Sequence, residues 1–460
     1  MASPSKARAA LAALREDLAG DVFAPGDPGY DAARAVFNAM IDRRPAVIAR
    51  CAHAADVVRA VRFARELDLP VAVRGGGHGV AGAALGDGAL VVDLRRMREV
   101  TVDPAAQAVR VQGGATMSDL DRATQPYALA TTGGRASTMG VGGFVLGGGT
   151  GWLDRAFGLA VDNLLGVELV TADAERTHAS ADENPELFWA LHGGGGNFGV
   201  ATALTLELHE LPLFCVALLL FLPEQGPRVV RAFREILRTG PDALGGAVLY
   251  VTGPPADFVP PPLVGRRLCL ALLTYAGGAQ ELRELAGPLL APPHEARLLG
   301  PVPYADAQCM LDTPAGLRNH WSAEYLGELP DAAVDVYCAL GDGMPVPTPT
   351  RHALLPQGGA VAAGPHTYPV SYRDAPWAVH PSGVWADPAD DERCTGWVRE
   401  VRAAVRPWST GAVYLNFIGD EGPERVRAGL GEGNTLRLEK VKRRHDPDNV
   451  FRFNHNIRPV

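Results

Sequence analysis

No two of the six cysteines stand in C-x-x-C spacing; Cys51, Cys215, Cys269, Cys309, Cys338 and Cys394 are scattered along the chain. That excludes the usual thiol zinc site and the redox dithiol, and predicts free thiols in a reducing compartment with no bound metal. Dense Lys/Arg clusters are lacking as well, and the formal net charge is −9, so nothing in the pattern can track a phosphate backbone and nucleic acid is excluded as a partner. No apolar run reaches the ~18 residues needed to cross a bilayer. The N-terminal MASPSKARAALAALREDLAG interrupts its apolar residues with Arg8, Arg15, Glu16 and Asp17, which is not the unbroken core of a signal peptide. The expectation is a cytoplasmic protein without membrane contact. Internal repeats and low-complexity tracts are absent too.

What is present is an ordinary globular composition, 47% hydrophobic and 21% charged over 460 residues. That length suits two or three domains, or one large α/β enzyme with an inserted lobe. ADVVRAVRFAREL (55–67) repeats apolar residues at helical spacing with Asp56 in the first turn. PVAVR (70–74), ALVVDL (89–94) and AVRVQGG (108–114) read as strands, and TMSDLDRATQPY (116–127) as a helix with Thr116 or Ser118 near its cap. LLGVELVTA (164–172) reads as a strand, NPELFWALHG as a helix with Pro185 in its first turn, and ATALTLELHEL as a half-buried strand. After Pro212 the glycines thin out and Pro-rich loops appear, which places a domain boundary near 210. The last residues, LRLEKVKRRHDPDNVFRFNHNI (436–457), read as a helix, a turn at Asp446-Pro447-Asp448, and a tail rich in amides at Asn449, Asn454 and Asn456.

Three glycine-rich loops lie within the first 200 residues: GGGHGVAG after the strand at 70–74, GGRASTMGVGGFVLGGGTG at 133–151, and GGGGNFGV at 193–200. Gly77-His78-Gly79-Val80-Ala81-Gly82 fits G-x-G-x-x-G, but Gly86 and Gly88 precede the next strand too closely to leave room for the helix of a Rossmann unit. One such loop alone is equally a tight turn with His78 on its surface. Three together favour consecutive main-chain N–H groups wrapped around a diphosphate, hence a nucleotide cofactor laid across all of them.

VAVRGGGHGVAG, GVGGFVLGGGTGWLDRAFGLAVDNLLGVELVTA, ENPELFWALHGGGGNFGV and DPDNVFRFNHNI, in this order, resemble the FAD-linked oxidases of the berberine-bridge-enzyme-like group within the vanillyl-alcohol-oxidase superfamily, compact bacterial members above all. The resemblance runs from about residue 30 to the C-terminus. It implies an α+β fold: a PCMH-type FAD-binding domain of two α/β subdomains (1–210), a substrate domain with an antiparallel sheet covered by helices (211–418), and a C-terminal segment (419–460) that returns to the FAD domain. It further implies FAD bonded through a ring nitrogen of His78 to the flavin 8α-methyl. Arg74, Gly75, Gly76, Gly77, Gly79 and Val80 are implied at the pyrophosphate. Thr138, Gly140, Gly142, Gly143, Asn197, Gly199 and Val200 are implied around the flavin and ribityl chain, with Asn454 and Asn456 added from the tail. Many members carry a second, cysteinyl bond; its position falls near Ala136, so one covalent link is expected.

The implied reaction is oxidation of a C–H/O–H or C–H/N–H unit by hydride transfer to flavin N5, with molecular oxygen as acceptor and an aromatic polyketide-like secondary metabolite as small-molecule substrate. An amine or sugar oxidase or dehydrogenase, and a non-catalytic flavin-fold binding protein, are the alternatives. Candidate catalytic residues are Tyr414, Asn416, His380 and Gln357, with Arg351 and His352 nearby; Tyr414 can act as base if a cation or the flavin lowers its pKa. The resemblance places Ala353 where compact bacterial members carry a lysine or glutamate, which leaves the base of those relatives without a counterpart. Met139, Phe144 and Phe157 are expected to shape the flavin surroundings and restrict oxygen. A monomer or homodimer is expected.

Overall fold

The computed structural model describes residues 4–460. One small sheet, ordered Asp21–Phe23, Val47–Arg50, Leu90–Asp93, Val71–Arg74, contains the parallel strand pairs. The helix Ala54–Leu67 makes the crossover between Val47–Arg50 and Val71–Arg74, as its apolar spacing predicts. Its buried Asp56 carboxylate accepts from the backbone N–H groups of Ala19, Gly20 and Ala52, which satisfies a charge held away from water. A five-stranded antiparallel sheet follows, in the order Val100–Asp103, Ala108–Gln112, Val200–Glu207, Leu164–Val170, Arg176–Ser180. The helix Met117–Thr124 has its cap at Thr116, whose hydroxyl accepts from Asp119 N–H while Asp119 accepts from Thr116 N–H. The second glycine stretch contains a helix, Val141–Leu146, that its paired glycines did not suggest.

Between Cys215 and Trp385 the chain builds an eight-stranded antiparallel sheet. Its order is Ala296–Pro301, Cys215–Phe221, Arg267–Tyr275, Leu244–Thr252, Arg351–Pro356, Trp377–Trp385, Arg318–Trp321, with Glu324–Leu326 also paired to Trp377–Trp385. Strand alternation sorts the side chains to two faces. Leu219, Val248, Leu354 and Val379 pack with the helices Gly226–Thr239, Asp331–Asp342 and Asp391–Val405. Leu218, Leu249, Ala353 and Leu355 belong to the core shared with the glycine-rich part of the molecule. Each fully buried leucine or valine among them contributes roughly 1.5–3 kcal/mol, so the sheet is held from both sides. This is the α+β architecture with a helix-covered antiparallel sheet that the motifs imply.

The last residues run back over the first part of the chain. Val71 N–H donates to Val450 O at 3.1 Å, extending contact along the small sheet. The helix Thr435–His445 carries a fully buried Lys442, whose Nζ donates to the Asp446 carboxylate (2.6 Å), Asn197 O (2.8 Å) and Phe451 O (3.0 Å). One ammonium therefore joins the tail to the third glycine loop.

Candidate active site

A cavity of about 390 Å³ lies between the three glycine loops and the helix-free face of the large sheet. The first two loops meet at Gly76 and Gly140, where a Cβ on either would stand 2.3 Å from the other's backbone nitrogen; only glycine permits that approach. Toward the cavity the reverse holds. A Cβ added at Gly79, Gly143, Gly195 or Gly196 would meet nothing within 4 Å, so these bare stretches of main chain face open space.

His78 lies on the wall between those loops. Its Nε2 is 2.8 Å from Thr138 Oγ1, the Phe37 ring stacks on it with centroids 3.9 Å apart, and its Nδ1 is buried with no hydrogen-bond partner. Loss of hydration pulls the ring pKa down to about 4, against the opposing pull of the Asp312 carboxylate, so the imidazole is neutral at neutral pH. Asp312 in turn accepts from the N–H and Oγ of Ser137, at 2.8 and 2.5 Å, which ties the second glycine stretch to the sheet-bearing lobe.

The opposite wall is a strand pair. Arg351 stands opposite Ser382 and Ala353 opposite His380, and all four line the cavity with Leu355. His380 Nδ1 lies 2.9 Å from Ser322 O; a carbonyl only accepts, so the proton is on Nδ1 and the Nε2 lone pair is left free. Phe417 stacks on the ring at 4.0 Å, and burial pulls its pKa down to about 4. Tyr414 and Asn416 also line the cavity, placed there by Leu415–Phe417, which forms a single 3₁₀ turn. Asn416 Nδ2 donates to Tyr414 Oη (3.0 Å) and to Gly143 O (3.2 Å). Burial pushes the Tyr414 phenol up to about 12, outweighing Asn416 and the main chain of Gly149 and Thr150, which pull it down. The lowering that would make it a base is absent from its protein surroundings.

Other sequence candidates divide by geometry. Gly75, Gly76, Gly77, Gly79, Val80, Gly140, Gly142, Gly143, Asn197, Gly199 and Asn454 are on the cavity wall, and Thr138 reaches it through His78. Gln357 is not on the wall. The strand ends at Pro356, the alternation stops there, and the Gln357 side-chain amide donates to Pro356 O while the Gln357 main-chain carbonyl accepts from Arg155. Arg74 points away and donates to Ala33 O and Ala35 O; Val200 is locked in the five-stranded sheet opposite Val170; Asn456 lies off the wall. Asn197 keeps its place, but its side chain is occupied in clamping the tail, donating to Gly194 O and His455 O and accepting from Ile457 N–H. His352 faces the helices, stacked on Tyr337, and Phe157 stacks on His209 away from the cavity, whereas Met139 and Phe144 line it. Phe37, Trp321, Ser382 and Phe417 are wall residues the sequence reading missed. Only Ser382 left a signal, two residues beyond His380 on the same strand face.

Two family models match the chain: an FAD-binding domain over residues 45–180, and a berberine and berberine-like domain over 413–458. The chain is 32% identical over 463 residues to (R)-6-hydroxynicotine oxidase of Paenarthrobacter nicotinovorans, covering 96% of this chain and 97% of that protein. The chain belongs to the berberine-like FAD-linked oxidoreductases. A crystal structure of 6-hydroxy-D-nicotine oxidase from Arthrobacter nicotinovorans superposes with a TM-score of 0.86 at 28% identity, covering 96% of this chain and 99% of that one. Wild-type BBE-like 1 of Physcomitrella patens superposes with a TM-score of 0.87 at 22% identity, over 98% and 99% of the two chains, and shares the fold. As a member, the protein is an FAD-dependent oxidoreductase, and no helix among its described residues is long and apolar enough to cross a membrane.

The residues fit that cofactor. The cavity offers bare main chain on three loops, a partnerless imidazole nitrogen at His78, an unpartnered Asn454 Oδ1, and no Asp or Glu on its wall to oppose a diphosphate. No cysteine lines it, and Ala136 stands on the wall where a second link would start.

Proposed function

We propose that this oxidoreductase holds its FAD by one bond to His78 Nδ1 and oxidises a small molecule with a flat, aromatic body. The observation that carries this reading is the state of His78: Nδ1 is buried without a partner, and a neutral ring that donates its Nε2–H to the Thr138 hydroxyl presents its lone pair there. When bound, the cofactor supplies a hydride acceptor at flavin N5 and a route for the electron pair to O₂. The protein's own part is to orient the substrate and move one proton. Trp152, Trp321, Phe144 and Phe417 give apolar surfaces that seat a planar molecule and exclude water. His380 presents a free Nε2 lone pair and accepts a hydrogen bond, then the proton, from the substrate O–H or N–H. Tyr414 keeps its own proton at neutral pH and, steadied by Asn416, donates toward the substrate.

Intact-mass measurement after acid precipitation tests the attachment. The wild-type polypeptide should carry the mass of one FAD less two hydrogens, and His78→Ala should release its flavin to the supernatant. A wild-type chain without that increment would overturn the reading.

A further inference from the structure

The cavity wall contains two arginines, three histidines and no aspartate, glutamate or lysine. Arg135 is answered by Asp154 at 3.3 Å and donates to Thr150 Oγ1 and Gly151 O. Arg351 has no such answer: among the described residues it forms no ion pair, and its guanidinium donates only to main-chain oxygens, Leu311 O at 2.7 Å and Asp312 O at 3.5 Å. The Asp312 carboxylate attracts the guanidinium from beyond ion-pair distance and is itself hydrogen-bonded by the N–H and hydroxyl of Ser137. A guanidinium has five N–H groups, so Arg351 retains donors on the cavity side. Directly across the strand pair, the Ser382 hydroxyl has no hydrogen-bond partner among the described residues, and two residues before it His380 offers its lone pair. A buried charge without a counter-ion in contact is costly to keep, and an anion arriving with the substrate reduces that cost.

We infer that the substrate is a planar organic anion, an aromatic carboxylate, anchored by Arg351 and Ser382 with its oxidisable O–H or N–H directed to His380. This rests on the cavity being the site of substrate oxidation. Carboxylate and guanidinium match as planar two-pronged partners, and Ser382 supplies one further donor. A cationic amine meets the opposite conditions, an unneutralised guanidinium and no carboxylate on the wall. Ala353, small and set between Arg351 and Leu355 on the same face, leaves the room that the anion's ring needs.

The test uses purified holoenzyme and two pairs of probes, benzoate with benzamide and 2-naphthoate with 2-naphthamide. Binding is read by quenching of tryptophan fluorescence, to which Trp152 and Trp321 on the wall contribute, and by perturbation of the flavin band. Each carboxylate should bind at least about 10-fold more tightly than its amide. Arg351→Met should weaken carboxylate binding by at least about 30-fold and leave the amides unchanged, with Arg351→Lys recovering part of the loss. Equal binding of carboxylate and amide to the wild type, no binding of either, or carboxylate binding unchanged in Arg351→Met would each overturn the inference. So would an Arg351→Met protein that loses flavin or shifts its unliganded spectrum while binding carboxylates normally, because the residue would then serve the cofactor. Absence of flavin from the wild type, read by mass, would remove the proposed function, whereas the tryptophan signal reports on the anion site in either case. The wild-type comparison decides the matter even if a variant fails to fold.

Discussion

His380 and Tyr414 face one cavity with opposite proton holdings, and pH separates their roles. With His380 as acceptor, its pKa near 4 keeps it deprotonated across the neutral range. The rate of anaerobic flavin bleaching by substrate should therefore be level from about pH 6 to 9 and fall only toward pH 4, whereas a tyrosinate base would make it climb through alkaline pH. His380→Ala should slow bleaching by about 10²–10⁴-fold, and Tyr414→Phe by less. Asp121 offers a stability test away from this chemistry. Its side chain is 3% exposed and Oδ2 has no partner, with the buried Gln308 amide and Tyr304 phenol beside it. Burial pushes its pKa up to about 8, above the unfolded value of about 3.9, so its contribution is full below about pH 4 and is lost as pH rises toward 8. Asp121→Asn should abolish that downward slope in chemical denaturation and raise stability at pH 8, by at most on the order of 5 kcal/mol. The residue types were legible at all three positions, but their titration was not, because each shift comes from burial by segments distant in the chain.

Elements were legible where a period or a cap spoke for itself, as in Ala54–Leu67 with its apolar stripe and Met117–Thr124 with Thr116 before it. Val141–Leu146 was not, since each glycine inside a helix costs about 1 kcal/mol relative to alanine and argues for a loop. Packing overrides propensity there. Gly142 approaches Gly113 so closely that a Cβ would lie 3.2 Å from its carbonyl oxygen, and Gly140, just before the helix, abuts Gly76. Two substitutions separate these uses of glycine. Gly140→Ala forces the two loops apart and should lower the unfolding free energy by about 1–3 kcal/mol with loss of bound flavin. Gly143→Ala places its methyl in open cavity and replaces a helical glycine, so thermal unfolding without cofactor should be unchanged or more stable by up to about 1 kcal/mol while flavin loading falls. Loss of stability in both, or in neither, would contradict the division.

At the scale of the whole molecule, the tail is fixed by one buried ion pair. Lys442 and Asp446 are both fully buried, and the carboxylate also accepts from Val450 N–H (2.7 Å) and Phe451 N–H (2.9 Å). Lys442→Met leaves that carboxylate without its cation and should cost about 3–5 kcal/mol. Hydrogen exchange should show the loss first in residues 446–457 and in the Gly194–Asn197 turn they hold; protection unchanged there would refute the assignment. The sequence by itself determined the family, the three glycine loops, the histidine set among them and four of the helices, because caps, periodicities and bare main chain are properties of residues a few positions apart. Only the tertiary structure decided which of those residues share a wall, that Gln357 lies beyond the last alternating position of its strand, that His78 keeps one nitrogen without a partner, and that Arg351 faces Ser382 without a counter-ion in contact. Burial, proton affinity and charge balance depend on whatever arrives from elsewhere in the chain, as when Asn38 accepts from Asn319 across 281 positions, and spacing along a sequence does not encode that arrival.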